Sequence, residues 1–137
     1  MNTNKKSLVE TQDKKIILST LWIFVMFCIA YADLIGFIEP GTLENIIKGN
    51  TGFDITPTMI LVVSLIQALP ITMIVISRLF RRGVSRWLNI VASVLTLLYV
   101  IGGANWESTS YPVFLALEVV ALLVIIWQVW TWRNTES

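Results

Sequence analysis

Four long apolar stretches, separated by short polar segments, dominate the pattern of residues along the chain. Each has roughly the 20 residues that a helix needs to cross a bilayer. We predict membrane-spanning helices at about residues 16–38, 57–79, 86–103 and 112–132, with polar tails at 1–15 and 133–137. The pattern therefore predicts an all-α membrane protein, built as a single four-helix transmembrane bundle over residues 16–132.

The ends of the predicted helices carry the expected signals. Thr56 followed by Pro57 is typical of an N-cap and first helical position. The pair Gly102-Gly103 ends the third helix. Pro70 lies in the middle of the second helix, where it removes one backbone hydrogen bond, so we expect a kink there.

The longest connection, residues 39–56, contains a short apolar pattern. Leu43, Ile46 and Ile47 are spaced so that they share one face of a helix. Thr42 precedes them and Gly49 follows them. We therefore expect a short interfacial helix in this connection, lying on the outer surface of the membrane.

The basic residues predict the orientation of the chain. Nine of the ten lie in the N-terminal tail, the C-terminal tail or the connection between the second and third helices. That connection carries Arg78, Arg81, Arg82 and Arg86. The positive-inside rule then places both termini in the cytoplasm. The four arginines are either this topology signal alone or a binding site for anionic lipid headgroups.

Composition narrows the possible functions. Charged residues make up only 14% of the chain, against roughly a quarter in soluble domains. There is no histidine, which removes histidine-based catalysis and most zinc sites, and one cysteine, which excludes an internal disulfide. A net charge of +1 gives no indication of nucleic-acid binding. We expect no enzyme activity, no cofactor and no metal site.

Two carboxylates lie inside predicted spans. Asp33 is five residues before the end of the first helix and Glu118 is six residues after Pro112, so both lie about 8–9 Å deep. No lysine or arginine lies in the interior of a span to pair with them, so each must be protonated, hydrogen-bonded or hydrated. The polar side chains expected beside them are Gln67, Tyr31, Tyr99 and Asn105.

These acids leave two functions open, of which we expect the first, with the second as the alternative. As interhelical hydrogen-bonding groups they would fix packing, in a small non-enzymatic membrane protein that associates with itself or with a membrane-protein partner. As a proton, cation or ligand site they would serve a proton- or cation-coupled small transporter. Such a small transporter would need a second copy to enclose a path.

A cleaved signal peptide is an alternative for the first helix. Ala30 and Ala32 form an A-x-A pattern after a basic segment and an apolar run. The apolar run resumes directly after Asp33, however, so we expect the first helix to be retained.

One segment suggests a family. Residues 31–41 have the sequence YADLIGFIEPG, which resembles the first-helix signature of a family of uncharacterised bacterial four-helix membrane proteins. The resemblance implies a location in the bacterial plasma membrane and supplies no activity. Small multidrug transporters also combine four helices with an intramembrane glutamate, but here Glu118 lies in the last helix, which departs from their pattern.

Overall fold

The structure is a computed structural model that describes residues 2–52, 54–104 and 106–132. The helices are α1 (Asn2–Ile38), α2 (Thr42–Ile47), α3 (Pro57–Leu79), α4 (Arg82–Gly102) and α5 (Tyr111–Trp130). These ranges contain no β-strand. All helices except α2 are long and apolar enough to cross a membrane. The structure thus confirms an all-α protein with four candidate membrane spans.

Two helices begin earlier than predicted. α1 starts at Asn2 rather than near residue 16, and α4 starts at Arg82 rather than Arg86. Residues 2–35 contain neither glycine nor proline, so no helix-breaking residue separates the polar tail from the apolar span. The helix of the span therefore extends back into the tail. At 1.5 Å per residue α1 is about 55 Å long, well beyond the roughly 30 Å of a bilayer's hydrocarbon core. Its polar first turns therefore extend past the span.

The four long helices form a four-sided bundle. α1 packs against α3 and α5, and α4 packs against the same two helices, so α1 and α4 lie diagonally opposite. We call the end that carries α2 and the α4–α5 connection the α2 end. The opposite end, which carries the α3–α4 connection, is the arginine end. The buried apolar core comprises Leu18, Trp22, Val25, Met73, Ala92, Ala121, Leu122, Ile125, Val129 and Trp132.

The predicted helix signals are present in the structure. The Thr56 hydroxyl accepts a hydrogen bond from the Met59 amide at 3.2 Å, and Pro57 opens α3. Pro70 is buried within α3, which continues through it. Gly41, with a φ of 86°, precedes α2; this left-handed conformation favours glycine.

A cluster of buried polar side chains links three helices by hydrogen bonds in the arginine half of the bundle. Asn89 of α4 accepts hydrogen bonds from the Trp22 indole at 2.7 Å and the Ser77 hydroxyl at 3.2 Å. Its amide nitrogen lies 2.7 Å from the Ser85 carbonyl oxygen and 3.1 Å from the Ser85 hydroxyl. We call these four residues the Asn89 cluster. Because Trp22 belongs to α1, the cluster joins the two diagonal helices.

Candidate functional site

The two carboxylates of the predicted spans line one cavity between α1, α4 and α5 in the α2 half of the bundle. We call it the acid cavity, and its volume is about 100 Å³. Its walls are Ile29, Ala32, Asp33, Tyr99, Val100, Gly103, Tyr111 and Glu118. α1 and α5 run in opposite directions, so an acid shortly before the end of one and an acid two turns into the other reach a similar level.

Gln67 holds Asp33 at one side of the cavity. Its amide nitrogen donates a hydrogen bond to Asp33 Oδ2 at 3.0 Å and a longer one to the Tyr99 hydroxyl at 3.4 Å. Since these residues belong to α3, α1 and α4, one amide connects three helices. Asp33 is the exposed member, while Gln67 and Tyr99 are partly buried.

Glu118 is the most deeply buried acidic side chain of the acid cavity. It lies on the interior face of α5 with Leu115, Leu122 and Ile125, a 3–4 residue spacing that points all four into the bundle. Its side chain is only 3% exposed. Within residues 2–52, 54–104 and 106–132 its carboxyl group makes no hydrogen bond. The hydroxyls of Ser93 and Thr96 are also buried without a partner among the described residues, but only Glu118 of these three lines the acid cavity, where its carboxyl group can be reached.

A larger recess adjoins the acid cavity on the side of the α2 end. We call it the mouth; its volume is about 510 Å³. It shares Ala32, Asp33, Tyr99 and Tyr111 with the acid cavity, and its rim includes Glu39 and Ser108. The two acids thus differ in access: Asp33 borders both spaces, and Glu118 borders only the inner one.

Glu39, the residue that follows α1, connects the two sides of the rim of the mouth by hydrogen bonds. Glu39 Oε1 accepts hydrogen bonds from the hydroxyls of Ser108 at 2.5 Å and Ser110 at 2.8 Å. These bonds favour the carboxylate, so they lower the pKa of Glu39 below its ordinary value. Ser108 also accepts a bond from the Tyr111 amide at 3.2 Å, and the Tyr111 hydroxyl donates to the Val100 carbonyl oxygen at 3.3 Å. The rim therefore positions a wall of the acid cavity.

Not every predicted site residue reaches this cavity. Asp33, Glu118 and Tyr99 line it, and Gln67 contacts two of them. Tyr31 is not among the residues that line it: the side chain is 51% exposed and stacks on Phe27 with ring centroids 6.2 Å apart. Residues two apart on a helix do not share a face, so Tyr31 and Asp33 cannot both point inward. Asn105 lies outside the described residues.

Tyr111 is the wall residue that sequence reasoning missed as a site residue. Its place beside Pro112 at the start of a span is typical of an interfacial aromatic residue. A second signal was available, since Tyr111 lies seven residues before Glu118, and that spacing places both on one helix face.

The four arginines do not form one cluster. Arg78 donates from Nε to the Ser19 hydroxyl at 3.2 Å, between α3 and α1. Arg82 bonds to the Trp132 carbonyl oxygen and lies 5.8 Å from the centre of that ring. Arg86 lies 6.0 Å from the Trp130 ring, and Arg81 is exposed before α4. Arg82 and Arg86 thus face α5, and Arg78 faces α1.

The fold and the cavity define a small four-helix protein with candidate membrane spans and a pair of inward-facing carboxylates. The chain belongs to the family of unknown function DUF6326, whose family model matches residues 6–137. This confirms the resemblance to an uncharacterised family. No curated protein and no solved structure matches the chain.

Proposed function

We propose that the protein is a proton- or cation-coupled small transporter whose ion site lies between Asp33 and Glu118. The observation that carries this proposal is Glu118: a carboxyl group that is 3% exposed, faces a cavity that it shares with a second acid, and has no hydrogen-bond partner among the described residues.

The energetics of a buried carboxyl group support this site. An ionised carboxylate near the bilayer centre costs at least about 2.5 kcal/mol, and no basic side chain offsets that cost. The one ion pair in the described ranges joins Glu44 and Lys48 on α2, away from the acid cavity. A proton or a small cation between the two acids is therefore the simplest neutralising partner.

The two acids suit an exchange of one cation for another. Asp33 borders the mouth and is held by the Gln67 amide, so a cation arriving from solution meets it first. Glu118 lies deeper and lacks a competing hydrogen bond. A cation that enters the cavity brings positive charge close to both carboxyl groups, which favours release of a proton held between them.

A role in packing alone is less well supported. Polar residues that only fix helix packing are expected to be hydrogen-bonded to one another, as the Asn89 cluster is. Glu118 is not. The proposal assigns no enzyme activity to the acid cavity.

The proposal includes an orientation and a location. The positive-inside rule favours an orientation with the arginine end and both termini in the cytoplasm, and the sequence resemblance of residues 31–41 suggests a bacterial plasma membrane. The mouth then opens to the outside, and α2, which has no buried residue, lies on the outer membrane surface. A bundle of four helices leaves little room for a complete path, so we propose that two copies associate.

The test uses purified protein in vesicles that enclose a pH-sensitive dye. Addition of Na⁺ or K⁺ outside wild-type vesicles should move protons across the membrane. Glu118→Gln and Asp33→Asn remove a titratable group while nearly preserving shape, so each should abolish this movement. The double variant should behave like either single one, because residues that act as a unit are non-additive.

Glu44→Gln is the matched control, since Glu44 is an exposed acid on α2 that borders neither cavity. Thermal unfolding in detergent checks that each variant is folded. Unchanged proton movement in folded Glu118→Gln and Asp33→Asn would contradict the proposal. So would a wild type that moves no protons with either cation.

A further inference from the structure

A groove between α1 and α3 lies at the arginine end, away from the acid cavity. Its volume is about 420 Å³, and it is lined by Ser19, Ile23, Ile74, Val75, Arg78 and Leu79. Four of these six residues are aliphatic, and Val75 and Leu79 are 54% and 75% exposed. The groove is thus a mainly apolar depression on the outer surface of the bundle, and its one cationic side chain is Arg78.

Arg78 is held in the groove from the protein side. Its Nε donates to the Ser19 hydroxyl at 3.2 Å, and that hydroxyl donates to the Ile74 carbonyl oxygen at 3.1 Å. Ser19 is fully buried. Within the described residues Arg78 makes no other hydrogen bond and no ion pair, so its two terminal nitrogens remain available. They are the part of a guanidinium that binds a phosphate in a bidentate manner.

The charge of the groove is uncompensated by the spans. Of the four acids in the long helices, Asp33 and Glu118 lie in the α2 half, and Glu10 and Asp13 lie in the polar first turns of α1, well before Ser19 along the chain. The neighbouring arginines Arg82 and Arg86 contact tryptophans on the α5 side instead. A span of a second copy would therefore bring aliphatic side chains to the groove but no partner for Arg78. An anionic lipid supplies both an apolar chain and a negative charge.

We propose that this groove binds an anionic phospholipid. The phosphate group accepts hydrogen bonds from the terminal nitrogens of Arg78. One acyl chain lies along Ile23, Val75 and Leu79, in contact with both helices. Basic pockets between membrane helices are known to select anionic lipids in this manner. The lipid would bridge α1 and α3, and this binding does not depend on the ion site.

The test titrates detergent-solubilised protein with dioctanoyl-phosphatidylglycerol and follows the rise in unfolding temperature. The titration is run in about 0.5 M salt, which screens exposed charges that are only loosely near the lipid. Wild type should bind this lipid more tightly than dioctanoyl-phosphatidylcholine. Arg78→Gln should weaken phosphatidylglycerol binding about tenfold, the effect of losing one charge-assisted contact. Arg81→Gln, the matched control at the same end, should change it by less than about twofold.

A second variant tests the apolar part. Val75→Trp fills the groove, so it should weaken binding of both lipids, and it keeps the test available if Arg78→Gln does not fold. Equal affinity of wild type for the two lipids would overturn the proposal, as would equal effects of Arg78→Gln and Arg81→Gln. Sodium phosphate that stabilises the protein as strongly as the lipid would show a simple anion site and would also overturn it.

Discussion

Two groups of polar side chains lie in opposite halves of one bundle, and they differ in how their hydrogen bonds are satisfied. In the Asn89 cluster the amide oxygen accepts two bonds and the amide nitrogen lies within bonding distance of two acceptors. In the acid cavity Glu118 has no partner among the described residues and faces an open volume of about 100 Å³. The side chains of Asn89 and Glu118 are both almost completely buried.

The difference separates a structural role from a binding role. A polar group whose bonds are all made within the protein has no donor or acceptor left for a ligand, and it stabilises one arrangement of helices. A buried polar group without a partner lowers stability, and it is ready to bind whatever enters the cavity. Burial alone does not distinguish the two cases. A missing hydrogen-bond partner together with an adjoining cavity does, since the buried hydroxyls of Ser93 and Thr96 lack partners within the described ranges but line neither the acid cavity nor the mouth.

Asn89→Ala is expected to change the free energy of unfolding the most. The substitution breaks two interhelical hydrogen bonds, to Trp22 and Ser77, worth about 0.6 kcal/mol each on average. It also breaks the contacts to Ser85 within α4 and leaves a small cavity. We expect the free energy of unfolding to fall by about 2–3 kcal/mol, measured by denaturant titration in detergent. Asn45→Ala on exposed α2 is the control and should change stability little. If both variants are equally stable, the cluster does not fasten the bundle.

Glu118→Met is expected to raise the free energy of unfolding, opposite to the effect of Asn89→Ala. Methionine has a similar length and carries no group that needs a hydrogen bond, so the desolvation cost of the carboxyl group disappears. We expect the free energy of unfolding to rise by about 1 kcal/mol at neutral pH while cation-dependent proton movement is lost. Leu115→Met, one turn earlier on the same face, is the control for methionine itself. A loss of stability in Glu118→Met alone would show that Glu118 acts like Asn89.

Much of the fold was predictable because span length and hydropathy depend on local sequence. The start of α1 was not, since the polar tail shows no apolar period and is helical as a continuation of the span. The site was predictable in part. Charges in spans are conspicuous, so Asp33 and Glu118 were found. Helical geometry separates Tyr31 from Asp33, because residues two apart on a helix do not share a face.

The Asn89 cluster shows a signal that was present and was overlooked. Ser85, Asn89, Ala92, Ser93 and Thr96 form a small and polar stripe along the buried face of α4. Spacing of three and four residues identifies one helix face. Its direction, inward rather than toward lipid, follows from the cost of exposing polar groups to the bilayer. The partner Trp22 could not be found this way, because that contact crosses the bundle from a distant part of the chain.

The smallest effect is expected at the rim, where Glu39 is hydrogen-bonded like Asn89 but lies at the surface. Glu39→Gln removes the charge that Ser108 and Ser110 bind, so the variant should be slightly less stable at neutral pH, measured by thermal unfolding. The pKa of Glu39 is lowered in the folded protein. Its stabilising contribution is therefore fully present above the ordinary value of 4.5 and is lost as the pH falls below that value through the lowered folded pKa.

The difference between wild type and Glu39→Gln should accordingly stay constant from about pH 6 to 8 and shrink below about pH 4.5. Acids elsewhere titrate equally in both proteins, so they cancel from this difference. Asp54→Asn, an exposed acid in the α2–α3 connection, is the control and should show no such dependence. A difference that persists unchanged at pH 3 would mean that shape at the rim, rather than the charge of Glu39, is what Ser108 and Ser110 recognise. The rim would then resemble the Asn89 cluster in kind, with hydrogen bonds that do not depend on ionisation.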